Sequence, residues 1–188
     1  MNIQSLSSRD RMIEATIDLM RSYGLSGSGI KDVVRESATP RGSVYHFFPQ
    51  GKNQIVAESL EVHAGRVAAF MEAALSSKKA APQKVTALFE AFANRVEEAT
   101  FQKSCAFGAV TLDLGAEDES LRLVIADAFE GWRAHLARHF VFLGRQQAKS
   151  FAGMILTAIE GAYIRSRAER TGRPFREAGE WLARAVRQ

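Results

Sequence analysis

The residues in this chain best placed to do chemistry are suited to recognition rather than to bond-making. They run Pro40-Arg41-Gly42-Ser43-Val44-Tyr45-His46-Phe47-Phe48, with Lys52 shortly after. Proline at a helix start loses no hydrogen bond, because its missing N–H would have had no partner there. Arg41 and Ser43 then stand at the nose of a short helix. An arginine in that position pairs with guanine O6 and N7, or with a phosphate. Gly42 lets the backbone approach a duplex closely. Tyr45 and His46 can each donate to phosphate oxygens, and Lys52 adds charge beside the first N–H groups of a following helix. Thr39 and Pro40 either touch a thymine methyl or serve only the turn. Ser28 offers its hydroxyl to a phosphate, or solely as the cap of the helix before. A blunt, polar-tipped helix with an aromatic end suits the DNA major groove.

Other chemistries find less support. His135 and His139 stand four apart, a metal-ligand spacing, but no acidic base lies between them and the sequence shows no third ligand, so no metal is expected. No nucleophile, metal or carboxylate pair in 66–188 stands in a catalytic constellation, which argues against an enzyme. The lone cysteine, Cys105, excludes an intrachain disulfide framework and fits a reducing, cytoplasmic setting. It reads as a small buried hydrophobe or as a redox sensor. Phe70, Phe89, Phe92, Phe107, Phe129 and Trp132 fall at inward positions of several helices. Together with Cys105 they either line a cavity for a flat apolar effector or form plain core.

These groups need elements to position them. Residues 8–23 pattern as an amphipathic helix capped by Ser8 and stopped by Gly24. Ser28 caps a second helix over 29–37, Ala38-Thr39 forms the turn, and Pro40 opens a third helix that ends by Phe48 before Pro49 and Gly51. A long fourth helix follows from Lys52 to about Ser76. A break over 77–82 precedes helices near 83–100, 104–115, 118–142, 145–171 and 174–187. There is no alternating strand pattern, no repeat and no apolar run of membrane-spanning length. The fold class is all-α, about nine helices, divided into a head at 6–66 and a body at 67–188. Residues 150–164 are too apolar all round for a monomer's surface helix. Gly153, Thr157 and Gly161 form a stripe of small residues there, with Glu160 the one charge, to be paired with Arg165 or a partner arginine or turned toward a ligand. With Trp181 and Leu182 of the last helix, the stripe fits a two-fold homodimer interface.

Charge is neutral evidence on nucleic acid. The formal net charge is +4, yet residues 1–65 carry seven basic side chains (Arg9, Arg11, Arg21, Lys31, Arg35, Arg41, Lys52) against seven acidic ones (Asp10, Glu14, Asp18, Asp32, Glu36, Glu58, Glu61). A neutral head makes few phosphate contacts, so useful affinity requires two heads on one site.

The order of features resembles the TetR-type transcriptional regulators. The resemblance rests on the helix from Arg9 to Tyr23 with Gly24, on Ser28, Ile30 and Val33, on Gly42, on Val44-Tyr45-His46-Phe47-Phe48-Pro49 and on Lys52. Two departures stand out: Ala38-Thr39-Pro40 where the turn usually carries Gly-Val, and one extra residue in Pro49-Gln50-Gly51-Lys52. That insertion, with Ser104-Cys105-Ala106-Phe107-Gly108 and Trp132, resembles the LmrA/YxaF-like subgroup. The resemblance implies a helix-turn-helix head and a helical body that binds a small hydrophobic or aromatic effector and dimerises. It further implies an operator-binding regulator, usually a repressor of efflux or detoxification genes. The same pattern also suits an activator, or a ligand-independent DNA-binding or protein-interaction module.

Overall fold

The structure, a computed structural model, describes residues 6–76 and 80–186. Nine α-helices and no strand occur among the described residues: α1 Ser8–Tyr23, α2 Ile30–Ser37, α3 Arg41–Phe47, α4 Lys52–Leu75, α5 Ala81–Glu98, α6 Ala106–Thr111, α7 Glu119–Ala137, α8 Arg145–Glu169 and α9 Arg173–Ala185. α7 ends at Ala137, and the 3-10 segment that follows, Arg138–Leu143, is itself kinked at Phe140, whose φ is −125°. The seventh helix is therefore shorter than its apolar pattern suggests. Part of the break expected over 77–82 falls on 77–79, outside the described residues.

The chain divides into two compact units. The first gathers the described residues up to Ala64 with Cys105–Asp127; the second gathers Gly65–Ser104 with Ala128 onward. In the first unit, Met12, Ile13, Ile17 and Met20 of α1 meet Val33, Val44, Phe48, Ile55 and Leu60 in a closed apolar core. Each such side chain contributes roughly 1.5–3 kcal/mol on leaving water. Thr16 is buried among them and stays satisfied by donating to the Met12 carbonyl at 2.7 Å. The cap of α1 is Ser7 rather than the expected Ser8: Ser7 is extended, and its Oγ accepts from the Asp10 N–H at 3.1 Å. Gly24 ends the helix at φ +70°, and a Cβ there would sit 2.5 Å from Asp113 Oδ2. Asp113 follows α6, which lies against α1 in this unit.

The second unit is built around α5, α8 and α9. Phe92 stacks on Phe175 with ring centroids 5.9 Å apart, and Tyr163 stands edge-on to both. Gly179 lets α9 lie directly on Phe89, since a Cβ there would come within 2.6 Å of the Phe89 Cβ. Arg176 of α9 reaches Glu90 at 3.0 Å and Glu97 at 2.7 Å on α5. Glu97 also accepts the Gly172 N–H at the start of α9, at 3.1 Å.

Candidate nucleic-acid interface

The local geometry of α2 and α3 follows from a strained turn. Ala38 adopts φ 49°, ψ 45°, the left-handed region that glycine occupies without penalty. Its N–H bonds to Arg35 O and the Thr39 N–H to Val34 O, which closes α2. Arg11 reinforces the turn from α1 by donating through Nε to the Ser37 carbonyl at 3.2 Å. Two buried hydroxyls, Ser37 and Thr39, bond each other at 2.6 Å. Pro40 is then the N-cap of α3, at φ −62° and ψ 140°, rather than its first helical residue.

Helix α3 is held by its apolar edge and shows its polar one. Val44 and Phe48, one turn apart, are fully buried, while Pro40, Arg41, Gly42, Tyr45 and His46 are exposed and Ser43 is half-buried. The two aromatic residues at the end of the helix divide: Phe48 enters the core, whereas Phe47 is half-buried with its ring edge-on to His46 at 4.8 Å. Gly42 has an ordinary helical φ, and a Cβ placed on it would meet nothing within 4 Å. The folded chain itself does not require a glycine at this position.

Two of the expected contact residues lie elsewhere. Ser28 is buried and donates to the Gly24 carbonyl at 2.7 Å, and the N-cap of α2 is Gly29. Ser28 therefore closes the α1–α2 loop and neither caps α2 nor faces outward. Thr39 is likewise buried, with its hydroxyl turned to Ser37 within the turn. Sequence reasoning missed the placement of Ser28 because a hydroxyl before a helix looks the same whether it caps forward or bonds back.

Local pairing shapes the charge of the neutral head. Glu58 pairs with Arg9, and Asp32 and Glu36 pair with Arg35. Arg41 makes no ion pair with the described residues. The exposed nose of α3 thus carries a cation whose charge is not locally cancelled. In the same unit, Asp113 accepts from the Ser26 N–H at 3.0 Å and the Ser26 hydroxyl at 2.9 Å. These bonds, the Ser26 N–H first, hold its carboxyl below the usual range, with Lys52 adding favourable charge. Half-buried Lys52 opens α4, and its neighbour Asn53 donates to buried Asp118 at 3.3 Å. Neither aspartate was singled out from the sequence, because they lie in a segment far from the head in chain order.

The aromatic set expected to face an effector is distributed between the units. Phe70, Phe89, Phe92, Phe129 and Trp132 belong to the second, where Phe70 lies edge-on to Phe92 at 5.0 Å and Phe129 to Trp132 at 5.4 Å. Cys105 and Phe107 belong to the first, where Phe107 is buried and stacks on His63 at 6.1 Å. On α8 and α9, Thr157, Gly161 and Trp181 are exposed, and Gly153, Glu160 and Leu182 are half-buried. Met154 and Ile164 are also exposed, and a Cβ on Gly161 would meet nothing within 4 Å. Arg165 is engaged by Glu169 at 2.9 Å and Glu177 at 3.6 Å.

The histidine pair does have a third neighbour. Glu72 Oε2 on α4 lies 2.8 Å from His135 Nε2 and 3.1 Å from His139 Nε2. It stands 67 residues from His139 in sequence, beyond the reach of any local spacing rule. Burial, then the nearby Arg138 cation, hold the His135 imidazole below its ordinary range, while the His139 contact lowers the Glu72 carboxyl.

A three-helix head with an exposed, polar-nosed third helix, joined to a helical second unit, defines the helix-turn-helix class of transcriptional regulators. Residues 12–59 match the family model of bacterial regulatory proteins of the tetR family, and residues 81–181 match that of the LmrA/YxaF-like transcriptional regulator C-terminal domain. An uncharacterised HTH-type transcriptional regulator of Mycobacterium tuberculosis is 30% identical over 174 residues, covering 89% of this chain and 88% of that one. The uncharacterised HTH-type regulator YxaF of Bacillus subtilis is 25% identical over 184 residues, covering 96% of each. The chain belongs to the TetR family of transcriptional regulators. Its fold is similar to that of the regulatory protein TetR from Rhodobacter sphaeroides, with TM-score 0.84 and 19% identity over 94% of this chain and 97% of that one. It is also similar to the TetR family regulator CifR, solved with a 26-base-pair double-strand operator, with TM-score 0.81 and 16% identity over 95% and 97% of the two chains. Among the described residues no helix is long and apolar enough to cross a membrane.

Proposed function

We propose that this chain is a cytoplasmic homodimeric repressor, not an enzyme, that reads a palindromic operator through two copies of α3. A small hydrophobic or aromatic effector would release it from genes for efflux or detoxification. The observation carrying this reading is the exposed face of α3. Arg41 has no ion partner among the described residues, Gly42 has open space over its Cα, and Tyr45 and His46 are exposed while Val44 and Phe48 hold the helix from behind. On this reading Arg41 and Ser43 read base edges, and Tyr45, His46 and Lys52 contact phosphates. The DNA-reading part would be 6–66, resting on Asp113 and Asp118, and the effector and dimer functions would lie in 67–188. The operator complex of CifR supports the same use of this fold here.

The effector proposal draws on the aromatic residues of α4, α5 and α7, and on the LmrA/YxaF-like character of residues 81–181. An effector favouring the released state 100-fold would couple by about 2.7 kcal/mol. Gel retardation with DNA upstream of the chain's own gene, with and without a panel of aromatic compounds, tests both parts. Specific retardation that no compound relieves would remove the effector; no specific retardation would remove the regulator.

A further inference from the structure

The Glu72, His135 and His139 side chains form a cluster that the DNA-binding reading does not use. The ligand-capable atoms, one from each residue, lie within 4.8 Å of one another. Both imidazoles direct Nε2 at the same carboxylate oxygen, and both histidine side chains are largely buried, at 17% and 14% exposure. As an ion pair this arrangement is incomplete. His139 has a hydrogen bond to Glu72, but buried His135 Nε2 sits 2.8 Å from the same oxygen without hydrogen-bond alignment and has no other partner. Buried polar atoms are nearly always satisfied, and an exception asks for a group that would complete it.

A divalent transition-metal ion completes it. Two imidazole nitrogens and one carboxylate oxygen are the donor set of zinc sites that keep a position open. Zinc–nitrogen bonds of about 2.0–2.1 Å at tetrahedral angles place donor atoms roughly 3.3–3.4 Å apart. The observed 2.8 and 3.1 Å separations from Glu72 widen by a few tenths of an ångström, and the two imidazole nitrogens, within 4.8 Å of each other, close toward the same spacing. One neighbour opposes the ion: Arg138 Nη2 lies 2.5 Å from His135 Nδ1. A guanidinium only donates, whereas an imidazole ligating through Nε2 must carry its proton on Nδ1. Arg138 is exposed, so it can swing away, and its withdrawal is part of binding.

We propose that Glu72, His135 and His139 form a zinc site within the second unit, with one coordination position left for water or for an oxygen of a small ligand. The ion would fasten α4 to α7 and to the 3-10 helix after it. The inference stands apart from the regulatory reading, because it is tested on the protein alone.

Untagged protein stripped with a chelator is titrated with Co2+ as the spectroscopic probe, followed by Zn2+. The expected result is one Co2+ per chain, with visible ligand-field absorption, displaced by stoichiometric Zn2+. Glu72→Gln and His139→Gln should each weaken uptake about tenfold or more. Arg138→Ala should strengthen it several-fold, which a purely structural cluster would not do. Absent Co2+ absorption, or affinity indifferent to Glu72→Gln and His139→Gln in folded protein, overturns the site. Should circular dichroism show either glutamine variant misfolded, exposed Arg138→Ala decides: tighter Co2+ binding supports the site, and unchanged or weaker binding overturns it.

Discussion

At the scale of single residues, α3 separates what the fold needs from what a partner needs. Gly42 makes no demand on the fold, and on the proposed reading its smallness serves the approaching duplex. Gly42→Leu should leave stability unchanged or raised by up to about 1 kcal/mol, because glycine is a poor helix residue. Operator affinity should fall at least about tenfold, the bulk having been placed where the duplex approaches. Thermal melts and gel retardation on one preparation check both halves. Arg41→Ala should cost roughly 1–3 kcal/mol of discrimination between operator and base-substituted operator, whereas Tyr45→Phe should weaken all sequences alike. Competition binding on matched and mismatched duplexes separates the two effects. Ala38 provides the opposite case, a residue whose backbone the fold strains. Ala38→Gly should stabilise the head by about 1 kcal/mol, relieving a left-handed conformation that disfavours a Cβ; chemical denaturation measures it.

At the scale of elements, the second unit depends on one arginine that joins α9 to α5. Arg176 meets Glu90 and Glu97, which raise its affinity for its proton, and Glu97 is held below the ordinary carboxyl range, chiefly by Arg176. These groups are more than a third exposed, so solvent screens the pair to about 1 kcal/mol. A carboxyl with a depressed folded-state pKa stabilises fully above its unfolded value. That contribution fades as pH falls through the ordinary carboxylate range toward the lower folded values of Glu97 and Asp113. Glu97→Gln should therefore cost about 1 kcal/mol at neutral pH and almost nothing once the pH lies well below that window. Urea midpoints at several pH values check it; a constant difference would disprove the charge argument. Helix existence was legible here because period and breakers agree: Gly24, Pro49 with Gly51, and Gly144 all fall where helices end. The supports were not. Asp113 beneath Ser26, Asp118 beneath Asn53, Glu97 beneath Gly172 and Glu72 beneath the two histidines are long-range acidic partners. No periodicity announces such a partner, since an exposed-looking carboxylate on a helix reads as solvated surface. The inward turn of Ser28 was no more legible, because its partner is a backbone carbonyl four residues back.

At the scale of the whole molecule, the balanced charge of residues 1–65 is why the proposed reading calls for two heads, since few phosphate contacts per head leave the affinity to assembly. Met154, Ile164 and Trp181 are exposed apolar side chains on α8 and α9, and Gly161 leaves room beside them for another helix. Trp181 carries the Arg184 guanidinium over its ring at 4.9 Å, an arrangement that survives in an interface where a bare charge would not. Aromatic anchors of this kind dominate interface energetics. Trp181→Glu places a charge in the proposed patch while leaving the chain's own core untouched. Sedimentation should shift from dimer to monomer with an unaltered helical spectrum. The dependence of DNA binding on salt gives a second, independent reading. If each head engages roughly three phosphates, log K against log salt should slope near −5 for two heads, and near half that for one, since the slope is about −0.9 per phosphate neutralised. A Trp181→Glu protein that remains dimeric would move the interface elsewhere on the chain. A monomer that kept the full slope would mean that a single head makes all the contacts, and that the neutral charge of residues 1–65 misleads about how it binds.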